Sequence, residues 1–216
     1  MQKYLDSFSN VSKSIIGGTL ISALVACGGG GGSSDVSSSG DISTSGTAQA
    51  TKADSISLHG SVGDGPIVGA DVFMFDGKNN LMTSLKSDAF ANYTLNFKTR
   101  GNPFPVRIEA IRGTDLVTGM PADFTLKSVS LSKLQKRVNL NPFTTMIVEV
   151  ARSMDGGINS ANVAAATSIV LREMNFGLDT QTVANPITST IDETNIANIV
   201  RSSEAFGEMI RRTRTA

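Results

Sequence analysis

Cysteine is almost missing from this chain: Cys27 is the single one among 216 residues, so no disulfide can form within it. Histidine is equally scarce, with His59 alone. One histidine and no spare cysteine exclude the common zinc cages and Cys-His nucleophile pairs. Tryptophan is absent and tyrosine occurs only as Tyr4 and Tyr93, so no aromatic platform marks a sugar site. An excess of either charge is also missing. Lys and Arg total 19 against 19 Asp and Glu, and no basic stripe marks a nucleic-acid surface. No Gly-x-Ser-x-Gly elbow occurs. No phosphate-cradling glycine loop opens a helix. His59 sits inside a strand pattern beside Gly60, which places it as an outward or edge residue rather than a catalytic base.

What the chain does have begins at its N-terminus. Lys3 and Lys13 precede an apolar run from Ile15 to Ala26. The run is shorter than the ~20 apolar residues that span a bilayer. Short, positively flanked and small-residue-ended is the pattern of a secretory signal. It closes on Leu24-Val25-Ala26-Cys27, which resembles the bacterial lipobox. The resemblance implies that the bond before Cys27 is cut, that the Cys27 thiol is diacylated, and that the new amine is acylated. Several chains are what stable anchoring requires, since one holds only marginally. In Gram-negative lipoproteins an aspartate just after the lipidated cysteine favours the inner membrane; Gly28 and Gly29 follow here, so the resemblance implies the outer membrane. The plainer alternative is an ordinary secretory signal followed by an unpaired cysteine.

Residues 27–54 contain a five-glycine run and are then dominated by Ser, Gly, Thr, Asp and Ala. Such a segment cannot bury enough apolar surface to offset its ordering entropy. It is expected to be a disordered tether, and about 27 residues at random-coil scaling reach roughly 30 Å. Loss of residues 1–26 would leave 17 basic and 18 acidic residues.

Residues 55–140 read as β-structure. Ile56, Leu58, Gly60 and Val62 alternate with polar residues. Ile67 to Phe75 reads as one strand, with Val72 and Met74 on one face and Phe73 and Phe75 on the other. Asp76 to Asn80 is a turn. Further strands are expected over 81–85, 92–97, 105–111, 124–131 and 138–140. Several short strands with polar turns between them predict an antiparallel β-sandwich.

The order of the motifs adds to this. Gly60-Ser61-Val62 is followed by Asp64-Gly65-Pro66-Ile67-Val68-Gly69-Ala70-Asp71-Val72, then by Ser87-Asp88-Ala89-Phe90-Ala91-Asn92-Tyr93-Thr94-Leu95 and by Val106 to Ile111. Over residues 55 to 115 this resembles the carboxypeptidase regulatory-like domain, a transthyretin-like (Ig-like) sandwich. The resemblance implies a Gly-Ala turn tucked against the first sheet and an inward aromatic at Tyr93. Ala91 stands where that family usually has Gly, and Phe90 intrudes in the turn. The family is named for an accessory domain, and the zinc peptidase domain has no counterpart in this chain.

Residues 141–216 change to helical spacing. Asn141 is a cap and Pro142 a first helical residue, followed by Phe143, Ile147, Val150, Ala151 and Met154. Ser160 is expected to cap a second helix carrying Val163, Ala166, Val170, Leu171 and Met174. Thr190 and Glu193 form a capping box ahead of Ile196, Ile199, Val200, Phe206 and Ile210. Asn141 to Met146 resembles the Thr-Pro-Leu-Thr-Thr-Leu segment that opens a helical module in large bacterial surface lipoproteins. Arg211, Arg212 and Arg214 read as a solvated helix end.

Calcium is the metal that remains open, because Asp64, Asp71, Asp76, Asp88, Asp115 and Asp123 lie in or beside turns. It needs six to eight oxygens from carboxylates close together, and ordinary turn chemistry accounts for these aspartates as well. No catalytic residue, metal ligand set or cofactor site is expected. The sequence therefore predicts a β-sandwich followed by a small α-helical region, held to the membrane by lipid on Cys27. Its function is expected to be non-catalytic: binding an envelope protein or glycan, or acting as a spacer. The alternative is an accessory part or N-terminal fragment of a larger secreted enzyme or adhesin, as the sequence stops at Arg212-Thr213-Arg214-Thr215-Ala216 directly after a helix, with no closing element.

Overall fold

The computed structural model describes residues 53–63 and 65–215, without the side chains of 214 and 215. Leu24, Val25, Ala26 and Cys27, nearly all of the tether, and Asp64 lie outside the described residues. The described chain is mixed β and α: antiparallel sheets plus three helices. None of these helices is long and apolar enough to cross a membrane.

Strand β1 (Asp54–Ser61) pairs antiparallel with β5 (Asn92–Thr99). Gly60 faces Tyr93, Leu58 faces Leu95 and Ile56 faces Phe97, and all six are buried. A slip of one residue would turn this whole apolar set to solvent, so the alternation fixes the register. Gly60 is required for a separate reason. A Cβ there would lie 1.9 Å from the Val138 carbonyl oxygen.

The expected single strand from Ile67 to Phe75 is broken in two. It forms β2 (Ile67–Val68) and β3 (Asp71–Phe75). Gly69 adopts φ +68° between them, a conformation natural to glycine. The Ser87 hydroxyl fastens this turn: it accepts from the Ala70 N–H and donates to the Ile67 carbonyl, both at 2.9 Å. Strand β3 then joins β4 (Leu81–Lys86), β6 (Val106–Ile111) and β8 (Leu126–Ser130) in a sheet of order β4-β3-β6-β8. Val72 and Met74 lie opposite Ala110 and Ile108 and are buried with them. A two-residue strand β7 (Thr114–Asp115), with no signal in the sequence, pairs with β2.

The expected strand at Val138 to Leu140 forms only isolated parallel bridges. Its backbone lies beside β1, with Val138 N–H to His59 O and Leu140 N–H to Ser61 O at 2.8 Å. The hydroxyl of Tyr93 donates to the Val138 carbonyl, so the inward aromatic binds this segment to the core.

Helix α1 (Pro142–Ser153) is capped by Asn141 with Pro142 in its first turn, as the sequence predicts. Asn141 Oδ1 accepts from Thr144 N–H, and Thr144 Oγ1 accepts from Asn141 N–H, both at 2.9 Å. The two threonines of this turn also bind strand β8, which ends its sheet. Thr145 Oγ1 accepts from Lys127 N–H at 2.9 Å, and Thr144 Oγ1 donates to Lys127 O at 2.7 Å. They satisfy backbone groups that a sheet edge would otherwise leave open. The Lys127 ammonium then pairs with Glu149 on α1 at 2.7 Å, with both side chains buried.

Helix α2 (Ser160–Glu173) is capped by Asn159 and not by Ser160. Asn159 is extended, and its Oδ1 accepts from Asn162 N–H at 3.0 Å; Ser160 is already helical. The Thr190–Glu193 capping box does not form either. Helix α3 (Ile196–Thr215) starts later, because Asp192 closes a tight turn onto Thr194 N–H at 2.9 Å first. Asn195 Nδ2 reaches back to Thr190 O at 2.9 Å. The buried apolar side chains of strands and helices form one cluster running from Ile56 to Ile210. Within it, Phe206 of α3 meets Phe143 of α1 edge-on with ring centroids 4.9 Å apart.

Candidate functional site

Helix α3 lies against the β-structure along a seam, and two hollows open there. The first, about 340 Å³, has an apolar floor that includes Ile67, Phe124 and Leu126, and a charged rim of Asp115, Asp123, Glu208 and Arg211. Arg211 pairs with Asp123 at 3.2 Å and with Glu208 at 3.7 Å. Its guanidinium lies over the Phe124 ring at 5.6 Å. Asp115 is buried and accepts from Val117 N–H at 2.9 Å and from Thr118 Oγ1 at 2.8 Å. Glu204 of α3 approaches it across Gly65: a Cβ on Gly65 would lie 2.5 Å from Asp115 Oδ1 and 2.9 Å from Glu204 Oε1. Burial, and then the Asp115 charge, raise the Glu204 pKa above the ordinary carboxylate value, with Arg211 opposing.

The second hollow, about 240 Å³, lies where the β4–β5 turn, the segment before α1 and the start of α3 converge. Its walls are apolar, with Leu140, Ile191, Ile196, Ile199 and Val200. Five residues with polar side chains line it, Ser61, Asn92, Arg137, Asn141 and Ser203, of which Asn92, Arg137 and Ser203 matter most here. Local structure places each of them. The Asp88 carboxylate accepts from Phe90 N–H at 2.9 Å and Asn92 N–H at 2.8 Å, which closes the turn. Ala91 completes it at φ +59°, a left-handed conformation that costs an L-residue about 1–2 kcal/mol. This is the position where the resembled family carries glycine. Phe90 is thereby thrown outward, 81% exposed at the lip of the hollow. The bridge between His59 and Arg137 fixes the Arg137 backbone. Arg137 is half-buried as a residue, and its guanidinium has no carboxylate partner among the described residues. Ser203 is 1% exposed, and its Oγ has no hydrogen-bond partner.

Of the residues singled out from sequence, Asp115, Asp123 and Arg211 border the first hollow and Phe90 and Ala91 the second, whereas His59, Asp71 and Asp76 fall elsewhere. His59 is half-buried on the outward phase of β1, opposite Thr94. Asp71 and Asp76 are each held by neighbouring side chains or backbone. Asp71 is held well below the usual carboxylate range by hydrogen bonds from Lys86 and then Arg112. Asp76 is lowered by the side chain and backbone of Asn80 within its own turn. Among the described residues, no group of three or more His, Cys, Asp or Glu side chains is arranged to hold a metal ion. Sequence reasoning missed Arg137 and Ser203. Only the intruding Phe90 was a visible signal.

No protein-family model, curated protein or solved structure matches the chain.

Proposed function

We propose that this chain is a non-catalytic envelope lipoprotein, anchored through Cys27 to the outer membrane, with a transthyretin-like sandwich as its binding or spacer module. The observation that carries the reading is Leu24-Val25-Ala26-Cys27 at the end of a short apolar run, followed by the glycine- and serine-rich stretch that leads to β1. Three details support the sandwich: the Gly69-Ala70 turn fastened by Ser87, the buried Tyr93, and Ala91 in the left-handed conformation at the glycine position. The partner is an envelope protein or glycan, met by loops that a rigid sheet framework presents. Catalysis belongs to no residue of this chain in this reading.

The test is metabolic labelling with palmitate in a bacterial host, with localisation of the labelled band. The wild-type chain incorporates label and fractionates with the outer membrane; Cys27→Ser incorporates none. Label that persists in Cys27→Ser refutes the anchor. Hydrolytic turnover by the purified chain that a single substitution abolishes refutes the non-catalytic assignment.

A further inference from the structure

We propose that the 240 Å³ hollow between the β4–β5 turn, Arg137 and helix α3 binds a small organic carboxylate, its head on Arg137 and its apolar body against Ile196, Ile199 and Val200. The inference stands on the described residues alone and does not depend on the lipid anchor.

Three independent features converge. Arg137 is a half-buried residue whose cation pairs with no carboxylate among the described residues. The other arginine that borders a hollow of the seam, Arg211, is paired with acids of its own. A guanidinium presents a planar fork of donors that matches a carboxylate bidentately, and such charge-assisted bonds are about twice as strong as neutral ones. Second, Ser203 lines the same hollow, and its hydroxyl is buried without a partner. A buried hydroxyl left unpaired bears its full desolvation cost, and a ligand oxygen removes it. Third, Ile196 is 43% exposed and Phe90 81% exposed, and both border the hollow. They offer apolar surface to an organic body where an inorganic anion would find none to use.

Size limits the ligand. At ~30 Å³ for a water-sized group, a hollow of about 240 Å³ holds roughly eight heavy atoms. This is below the ~300–1,000 Å³ typical of sites for drug-sized ligands. A six-carbon monocarboxylate, with eight heavy atoms, matches it in size. Among the described residues, no carboxylate lines the hollow.

The probe is hexanoate, titrated into the full chain carrying Cys27→Ser and followed by amide chemical shifts and calorimetry. Saturable binding is expected, with shifts confined to residues around the hollow. Arg137→Gln should weaken it about tenfold through loss of the charge-assisted pair. Arg137→Lys should recover part of that loss, and Ser203→Val, which fills the wall, should weaken binding as well. The amide spectrum of each variant reports that it is folded. Hexylammonium and inorganic phosphate should bind more weakly than hexanoate. The proposal is overturned if hexanoate does not saturate, if folded Arg137→Gln binds it as the parent does, or if hexylammonium or phosphate binds equally well.

Discussion

Substitution of Glu149 by alanine tests how strand β8 and helix α1 are held together. Lys127 and Glu149 are 9% and 3% exposed, and their charged groups are 2.7 Å apart. Glu149 has a second cation in Arg152, which is 47% exposed and donates through Nε at 3.0 Å. The two halves of the pair are therefore unequal. Glu149→Ala strands the Lys127 ammonium in the interior, and orphaning one member of a buried pair costs about 3–5 kcal/mol. Lys127→Met leaves Glu149 with Arg152 and places a thioether where the aliphatic stem ran. The loss is then one bond to a charged group, about 1.5–3 kcal/mol. The double variant Lys127→Met/Glu149→Leu removes both buried charges and should recover to within ~1 kcal/mol of the parent, since apolar replacement of a buried pair is often neutral or better.

Urea unfolding followed by circular dichroism measures all three. For a domain of this size each kcal/mol shifts Tm by roughly 2–4 °C, so Glu149→Ala should melt roughly 6–20 °C lower. That is a large part of a total stability of about 5–15 kcal/mol. The reasoning fails if Lys127→Met is the more damaging single change. It also fails if the double variant is no more stable than Glu149→Ala.

Tyr93→Phe should cost about 1–3 kcal/mol in urea unfolding, because the Val138 carbonyl loses the phenol that donates to it in the core. Burial pushes the Tyr93 pKa up, so the native phenol keeps its proton where an unfolded one ionises. Stability contributed by Tyr93 is intact below pH ~10, the ordinary phenol value, and falls as pH rises above it. Tyr4 is the only other tyrosine, so in a chain lacking residues 1–26 phenolate absorbance should appear only on unfolding. Glu204→Gln should stabilise the protein more at pH 7 than at pH 4. The raised Glu204 pKa makes folding favour the protonated acid, so stability declines as pH rises past the unfolded carboxyl value, and glutamine removes the decline. Equal effects of Glu204→Gln at both pH values would refute that.

Local pattern carried far in the helices and in the paired strands. The Asn141-Pro142 start of α1 was legible because cap chemistry uses adjacent residues. The starts of α2 and α3 shifted because several oxygen-bearing side chains compete there, and Asn159 and Asp192 won through turns that the linear pattern does not rank. The 67–75 run was apolar enough to read as one strand, yet Gly69 bends it so that Ile67 and Val68 can pair with Thr114 and Asp115. Leu178, Val183 and Ile187 are buried core residues in a stretch without helix or strand, where no period exists to find them. The hollow was invisible for the same reason: Phe90, Arg137 and Ser203 are far apart in sequence, and each is ordinary by itself.

The sequence by itself determined the choice between strand and helix along most of the described residues, the β1–β5 register, and Cys27 as the only thiol. These follow from composition and from periods of two or near four residues, which are local. The tertiary structure alone decided that two threonines of α1 close the edge of β8, that the Gly65 turn leaves room for Glu204 beside Asp115, and that Arg137 has an unpaired hydroxyl and an apolar wall facing the same hollow. Those pairings depend on which backbone groups a packed sheet leaves open and on where an otherwise plain helix comes to rest, and the linear order of residues encodes neither in a form that local rules can read.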